Sequence, residues 1–269
     1  MKIETIQPDS STLPDLPELP QLRGVFVTAT DTEVGKTFIA GGICRSLRNA
    51  GIVAEPFKPV ASGCPKIRGS RYSEDAAFLA HMADTDRPMD EIVPVRLGPA
   101  LAPNVAARFS RTTIDLPAIF DAYRRLDGSD AVVVEGVGGL LCPLTDEFSV
   151  LDFAVATGLP MVIVARPNLG TINHTLLTIR AAQAAGIDVV GVIVNRYEID
   201  PKLSDEEAVQ KGDAVLAMHT NPGEIRVLGG VPLLALVPDD PASSVADGTL
   251  GRDAQFAIDT VDWPSILTR

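Results

Sequence analysis

The stretch TATDTEVGKT, residues 28–37, decides the fold. Gly24, Val25, Phe26 and Val27 stand before it, a short apolar run that predicts a buried first strand. Residues 36–49 follow as a predicted helix, with Gly51 as its stop. A strand, a tight loop and a helix opening on Gly-Lys-Thr form the setting of a phosphate-binding loop. Backbone N–H groups of such a loop, with the helix N-terminus, present partial positive charge to phosphate oxygens. Lys36 then reaches the terminal phosphates, and the Thr37 hydroxyl suits Mg²⁺, a hard cation that prefers oxygen. The spacing departs from the common pattern, because Thr30 holds the early position where Gly usually stands. It is the strand-and-helix setting, more than Gly-Lys-Thr itself, that carries the reading.

Working outward, strand and helix patterns alternate. Residues 53–60 predict a second strand, and 64–71 a basic, Gly-containing mobile loop. Ser73 reads as the N-cap of a helix running to about Met82, with Glu74 and Asp75 in its first turn. Residues 92–97 predict a strand and 116–126 a helix. The runs at 131–134, 160–165 and 189–194 have the continuous apolar character of strands buried on both faces of a parallel sheet. Helices are expected at 172–185 and 204–218, and a last strand at 231–237. This alternation predicts an α/β fold with a doubly wound, mostly parallel sheet. Gly41 and Gly42 each weaken a helix by about 1 kcal/mol relative to Ala, which predicts close packing of the first helix against the sheet.

Residues 1–22 carry Pro8, Pro14, Pro17 and Pro20 among polar residues and read as a flexible lead-in. A strap docked through Leu13, Leu16, Leu19 and Leu22 is the alternative. Residues 23–269 read as one α/β domain. A net charge of −12 argues against a sequence-independent nucleic-acid binder, which needs a cationic face. Cys44, Cys64 and Cys142 lack metal-type spacing. With no signal-like segment and no apolar run near the ~18 residues of a membrane span, a reduced, cytoplasmic protein is expected.

Ligands of doubly wound sheets bind beyond the carboxyl ends of the strands. Lys36, Thr37, Lys58, Ser62, Glu135 and Asn195 all fall there. Glu135, ending a Val-rich strand, suits a Mg²⁺ ligand or a water-positioning group, or else a solvent-facing acid. Asp75 could join the metal or merely favour its helix dipole. Lys58 before Pro59 suits an anionic substrate, though an ordinary surface lysine reads the same way. His174 has no matching Ser or Cys arrangement and is assigned a structural role.

The ordered set resembles the dethiobiotin synthetases. The matching pieces are TATDTEVGKT (28–37), FKPVASG (57–63), SEDA (73–76), VEGVGGL (134–140), LGTINHTLLT (169–178) and Val194-Asn195. The resemblance implies a seven-stranded P-loop NTPase fold and a homodimer. It implies conversion of 7,8-diaminononanoate, CO₂ and ATP to dethiobiotin, ADP and phosphate, through a carbamate and its phosphoric anhydride. By position, Lys36 would stabilise the transferred phosphoryl group, with Thr37, Asp75 and Glu135 around Mg²⁺. Lys58 and Ser62 would hold the amine or carbamate end. Glu33, Val34, Gly35, Phe38, Gly136, Val137, Gly138, Asn195, Arg196 and Pro238 would complete the nucleotide site, Asn195 recognising adenine. Leu169, Gly170, Thr171 and Asn173 of one subunit would hold the substrate carboxylate in the other subunit's site. Ala29 stands where the family commonly has Gly, and its Cβ is tolerable only if φ is negative. Asn104 falls where relatives can carry His. Two other readings share the fold: a P-loop amidoligase, which usually adds a glutamine-hydrolysing domain, and a ParA/MinD-like switch, which commonly carries an extra early lysine where this chain has Thr30, Asp31 and Thr32.

Overall fold

The computed structural model describes residues 18–200 and 202–267. Its elements begin with β1 (Gly24–Ala29), α1 (Lys36–Asn49), β2 (Ala54–Phe57) and β3 (Val60–Ala61). A small hairpin, β4 (Lys66–Ile67) and β5 (Ser70–Arg71), leads to α2 (Glu74–Ala83) and α3 (Met89–Ile92). Next come β6 (Val95–Arg96), α4 (Pro103–Ser110), α5 (Leu116–Arg124) and β7 (Ala131–Glu135). Then follow α6 (Val150–Thr157), β8 (Met161–Ala165), α7 (Thr171–Ala184) and β9 (Val189–Tyr197). The chain closes with α8 (Asp205–Lys211), α9 (Asp213–Gly229), β10 (Leu233–Pro238), α10 (Arg252–Asp259) and α11 (Trp263–Ile266).

The central sheet has six strands in the order β10-β9-β8-β1-β7-β2, every pair parallel. Parallel pairing requires helical crossovers on both faces, which is why β1, β7 and β8 are buried along their whole length. Alternate residues feed two cores. Val25, Val27, Ala131 and Val133 pack towards α1, α2, α10 and α11, whereas Phe26, Val132 and Val134 pack towards α5, α6 and α7. Phe26, Phe57, Tyr123 and Phe153 form an aromatic cluster on the second side.

Among the described residues the sheet has six strands, against the seven expected. The predicted strand at 53–60 breaks at Lys58-Pro59, and its second half, β3, pairs with β6 in a separate two-stranded ladder. Residues 92–97, expected as a strand, instead end α3 and then form β6. The basic segment expected as a loop contains the antiparallel β4–β5 pair. The helix expected over 204–218 is two helices, because Gly212 (φ 98, ψ 168) adopts a conformation open only to glycine. The glycines of α1 do reflect close packing, though against helices and not the sheet. A Cβ on Gly41 would overlap Phe78 of α2, and one on Gly42 would overlap Ile258 of α10.

Residues 1–17 of the expected lead-in, with Pro8, Pro14, Leu13 and Leu16, lie outside the described residues. Within them, Leu19 and Leu22 pack against the core, and the Glu18 carbonyl accepts a hydrogen bond from Arg124.

Candidate active site

Adjacent strands end side by side at the carboxyl edge of the sheet. The β1–β7 register pairs Val27 with Glu135, and the β2–β7 register pairs Phe57 with Val134. Lys58, the next residue after β2, is thereby carried beside Glu135. The loop after β1 turns back through Glu33 (φ 59) and Gly35 (φ 98). Gly35 caps α1 with no side chain, so the first-turn N–H groups of α1 remain available to an anion. Ala29 is fully buried at the end of β1 and is not among the positive-φ residues, so its Cβ introduces no strain.

Four polar side chains meet at the base of the loop. Glu135 Oε1 accepts hydrogen bonds from Thr37 Oγ1 and Lys58 Nζ, each at 2.7 Å. Lys58 Nζ also lies 3.0 Å from Asp75 Oδ2. Lys58 and Glu135 are almost completely buried, while Asp75 opens to solvent. Asp75 is placed by α2, whose N-cap Ser73 accepts from the Ala76 N–H at 3.2 Å. Burial alone would drive the Lys58 ammonium down, but the Glu135 and Asp75 carboxylates outweigh it and hold its pKa above the ordinary value. Burial pushes Glu135 up against the opposing pull of Lys58. Asp75 is pushed up by burial too, yet Lys58 prevails and its carboxyl lies below the usual range.

Glu135 Oε2 is buried with no hydrogen-bond partner. An orphaned carboxylate oxygen beside a threonine hydroxyl and a second carboxylate is a donor set for a hard cation. Among the described residues no group of three or more His, Cys, Asp or Glu could hold a metal by itself. A cation here would therefore complete its shell with oxygens of a bound anion or water, the usual habit of Mg²⁺.

Lys36 stands nearby, its Nζ donating to the Asp31 carbonyl at 3.2 Å. Burial lowers its pKa to about 8, with Glu135 opposing. An ammonium this easily discharged makes anion binding pH-dependent. Between about pH 7 and pH 9 its charged fraction falls about tenfold, and the apparent Kd for ATP is expected to rise by a similar factor. Titration calorimetry across that range checks this; a flat Kd would show that Lys36 keeps its proton or does not meet the phosphates.

These groups line an open cleft of about 1180 Å³. Glu33, Gly35, Lys36, Thr37 and Phe38 line it, as do Lys58, Ser62, Asp75 and Glu135. Val137 and Gly138 follow Glu135, and Asn195, Arg196 and Pro238 line it as well. Val34 and Gly136 are next to lining residues without lining the cleft themselves. Val34 is nonetheless tied to the site, since Asn195 Nδ2 donates to its carbonyl at 2.9 Å. Arg196 (φ 57) sits where the β9–β10 register slips between Asn195 and Tyr197, a bulge that turns its side chain out of the ladder.

Leu169, Gly170, Thr171 and Asn173 do not reach this cleft. Leu169 is 87% exposed, and Gly170 (φ 91) opens α7 without a side-chain cap. The segment is held from behind by the buried Asn221 of α9, which donates to Pro167 O at 2.7 Å and Asn168 O at 3.2 Å. Asn104 Nδ2 donates to Asp146 Oδ1 at 2.8 Å, and the cleft wall before it is formed by residues 100–103. Sequence reading named Asn104 but missed the lining role of residues 100–103 and of the segment 239–246, of which Asp239, Asp240 and residues 243–246 line the cleft. Its PDDPASS composition marks a turn and carries no ligand signature.

A family model described as an AAA domain matches residues 23–246. The ATP-dependent dethiobiotin synthetase BioD of Bacillus licheniformis is 38% identical over 218 residues, covering 81% of this chain and 86% of that protein. This chain belongs to the dethiobiotin synthetase family. A second dethiobiotin synthetase, from Anaeromyxobacter dehalogenans, is 43% identical over 185 residues, covering 68% of this chain and 81% of its own. Among solved structures, the MinD cell division protein of Aquifex aeolicus aligns with a TM-score of 0.53 at 14% identity, covering 92% of this chain and 97% of that one. A ParA family ATPase from Chlorobium tepidum gives a TM-score of 0.51 at 13% identity, with 89% and 97% covered. At such identities the likeness reaches the P-loop architecture only. The nucleotide-switch and amidoligase readings therefore yield to membership among the dethiobiotin synthetases.

Proposed function

We propose that this protein is an ATP-dependent dethiobiotin synthetase, a cyclo-ligase of biotin biosynthesis. It converts 7,8-diaminononanoate and CO₂ to dethiobiotin as ATP becomes ADP and phosphate. The observation that carries the reading is the buried Thr37–Glu135–Lys58 cluster, with Asp75 at its solvent edge, beneath an open phosphate loop in a chain 38% identical to a named synthetase.

One substrate amine adds to CO₂, loses a proton and becomes a carbamate. The carbamate oxygen attacks the γ-phosphorus in line, ADP leaves, and a carbamic-phosphoric anhydride results. The second amine attacks the carbonyl carbon, and phosphate departs as the cyclic urea closes. Phosphoryl transfer of this kind needs positioning and charge stabilisation more than a protein nucleophile. Lys36 and the α1 N-terminus serve the phosphate side, and Lys58, held charged by its two carboxylates, serves the carbamate side with Ser62. Thr37, Asp75 and Glu135 would hold Mg²⁺, which supplies neutralisation of phosphate charge when bound. The Glu33–Phe38 loop, Val137 and Gly138 flank the phosphates, with Gly136 behind them in the chain, while Asn195, Arg196 and Pro238 face the adenosine.

The exposed Leu169, with Gly170, Thr171 and Asn173 at an uncapped helix start, suits a substrate carboxylate reached from a second subunit, so a homodimer is part of the proposal. No helix among the described residues is long and apolar enough to cross a membrane, and all three cysteines are free thiols. We place the enzyme in the cytoplasm on that chemistry.

Phosphate release with Mg-ATP and bicarbonate, with and without 7,8-diaminononanoate, tests the function, with mass spectrometry for the cyclic urea. Diamine-dependent release with stoichiometric dethiobiotin is the expected result. Hydrolysis indifferent to the diamine would overturn it. Asn195→Ala removes both an adenine-facing amide and the tie to Val34 O, so ATP should lose its advantage over other nucleoside triphosphates as KM for ATP rises by about tenfold. An unchanged nucleotide preference would locate base recognition elsewhere.

A further inference from the structure

Beyond β10 a turn-rich segment lines the cleft, and the carboxylate of one of its residues, Asp240, pins it to the rest of the fold. Asp240 Oδ1 accepts from the Ala242 N–H at 3.0 Å, and Oδ2 accepts from the Asp253 and Ala254 N–H groups at 3.0 and 3.3 Å. The last two belong to the first turn of α10, which has no side-chain cap at Gly251. Asp240 therefore caps a helix that starts twelve residues downstream of it, at Arg252. These bonds, the Ala242 N–H foremost, lower its carboxyl below the ordinary aspartate value.

Two further ties close the same joint. Ser243 Oγ accepts from the Gly251 N–H at 2.9 Å, and Ser244 and Thr249 exchange backbone hydrogen bonds at 3.0 and 2.8 Å. The fit is close enough that a Cβ on Gly251 would overlap the Asp240 carboxylate. The other end of the connection is α1. Ala254 and Ile258 of α10 are fully buried, Ile258 fills the space that a side chain on Gly42 would need, and Gln255 Nε2 donates to Gly42 O at 3.4 Å. One short helix thus joins the cleft wall at residues 238–246 to the helix whose N-terminus faces the phosphate loop.

We propose that Asp240 is a positioning residue for the nucleotide, fixing the wall at residues 238–246 at a set distance from the phosphate loop through α10. Both carboxylate oxygens are committed to backbone N–H groups, so it acts through the wall and not on the ligand. The inference rests on reading the cleft as an ATP site.

Two variants open the joint from opposite sides: Asp240→Ala removes the carboxylate, and Gly251→Ala pushes it away. Each is expected to raise the Kd and KM for ATP by about tenfold, with kcat at saturating ATP and KM for 7,8-diaminononanoate within about twofold of wild type. Asp240→Asn, which keeps one acceptor oxygen, should fall between. Inorganic tripolyphosphate separates positioning from general loosening, because it fills the phosphate end alone. Its inhibition constant should not move in either variant. Unchanged ATP affinity in both, or tripolyphosphate inhibition weakened in step with ATP, would overturn the proposal. A wild-type protein that binds no ATP would instead overturn the nucleotide reading, and this inference with it.

Discussion

Lys36→Ala is expected to lower turnover by ~10²-fold or more while leaving the fold intact. The side chain is nearly buried, but its one hydrogen bond among the described residues is to the Asp31 carbonyl at 3.2 Å, which the loop can leave to water. Its removal therefore weakens the structure little. What is lost is an ammonium at the mouth of a helix whose first-turn N–H groups are uncapped, where the proposed mechanism places the phosphoryl charge that builds up during transfer. The predicted signature is a fall in kcat larger than the rise in KM for ATP, measured by diamine-dependent phosphate release. Near-normal turnover would remove Lys36 from the reaction.

Lys58→Met is expected to damage both activity and stability. Its ammonium sits 2.7 Å from Glu135 Oε1 and 3.0 Å from Asp75 Oδ2, in a position almost closed to water. Without it, Glu135 is a buried carboxylate next to a second acid, with Thr37 as its one remaining donor among the described residues. Removing one partner of a buried pair destabilises by about 3–5 kcal/mol, a fall of roughly 10 °C in Tm for a chain of this length. The loss has a definite pH dependence. Burial already pushes the Glu135 pKa up, and the variant lacks the ammonium that opposes it. A carboxyl whose folded pKa lies above its unfolded value keeps its stability below the unfolded pKa and loses it as pH rises through the folded one. Urea unfolding should therefore show a larger deficit at about pH 8 than at about pH 5. Equal deficits would mean that Glu135 is not left charged and alone.

The two substitutions probe different kinds of information. Lys36 was legible because its neighbours in sequence are its neighbours in space: a strand, a loop and a helix start are all local. The same holds for Ser73 and Asp75, where an N-cap and an acidic first turn mark the start of α2. Lys58 was ambiguous because an aliphatic strand followed by Lys-Pro is consistent with a surface lysine. Its burial follows from the β2–β7 register, a contact across 77 residues. The strand expected through residue 60 failed at the same point, where Pro59 cannot donate to a ladder.

By itself, then, the sequence determined the alternating α/β order, the phosphate loop, the apolar strands of a parallel sheet and, through FKPVASG and LGTINH, the family. Each of these is written in short-range periodicity, turn residues or a contiguous motif. The tertiary structure alone decided that the sheet has six strands and that Lys58 neutralises Glu135 and Asp75. It also decided that Asn195 reaches back to the Val34 carbonyl and that Asp240 fastens the cleft wall after β10 to α10. Those arrangements depend on which strand lies beside which and on where a loop meets a distant helix. Such pairings are set by long-range burial and hydrogen-bond satisfaction, and leave no mark in the local order of residues.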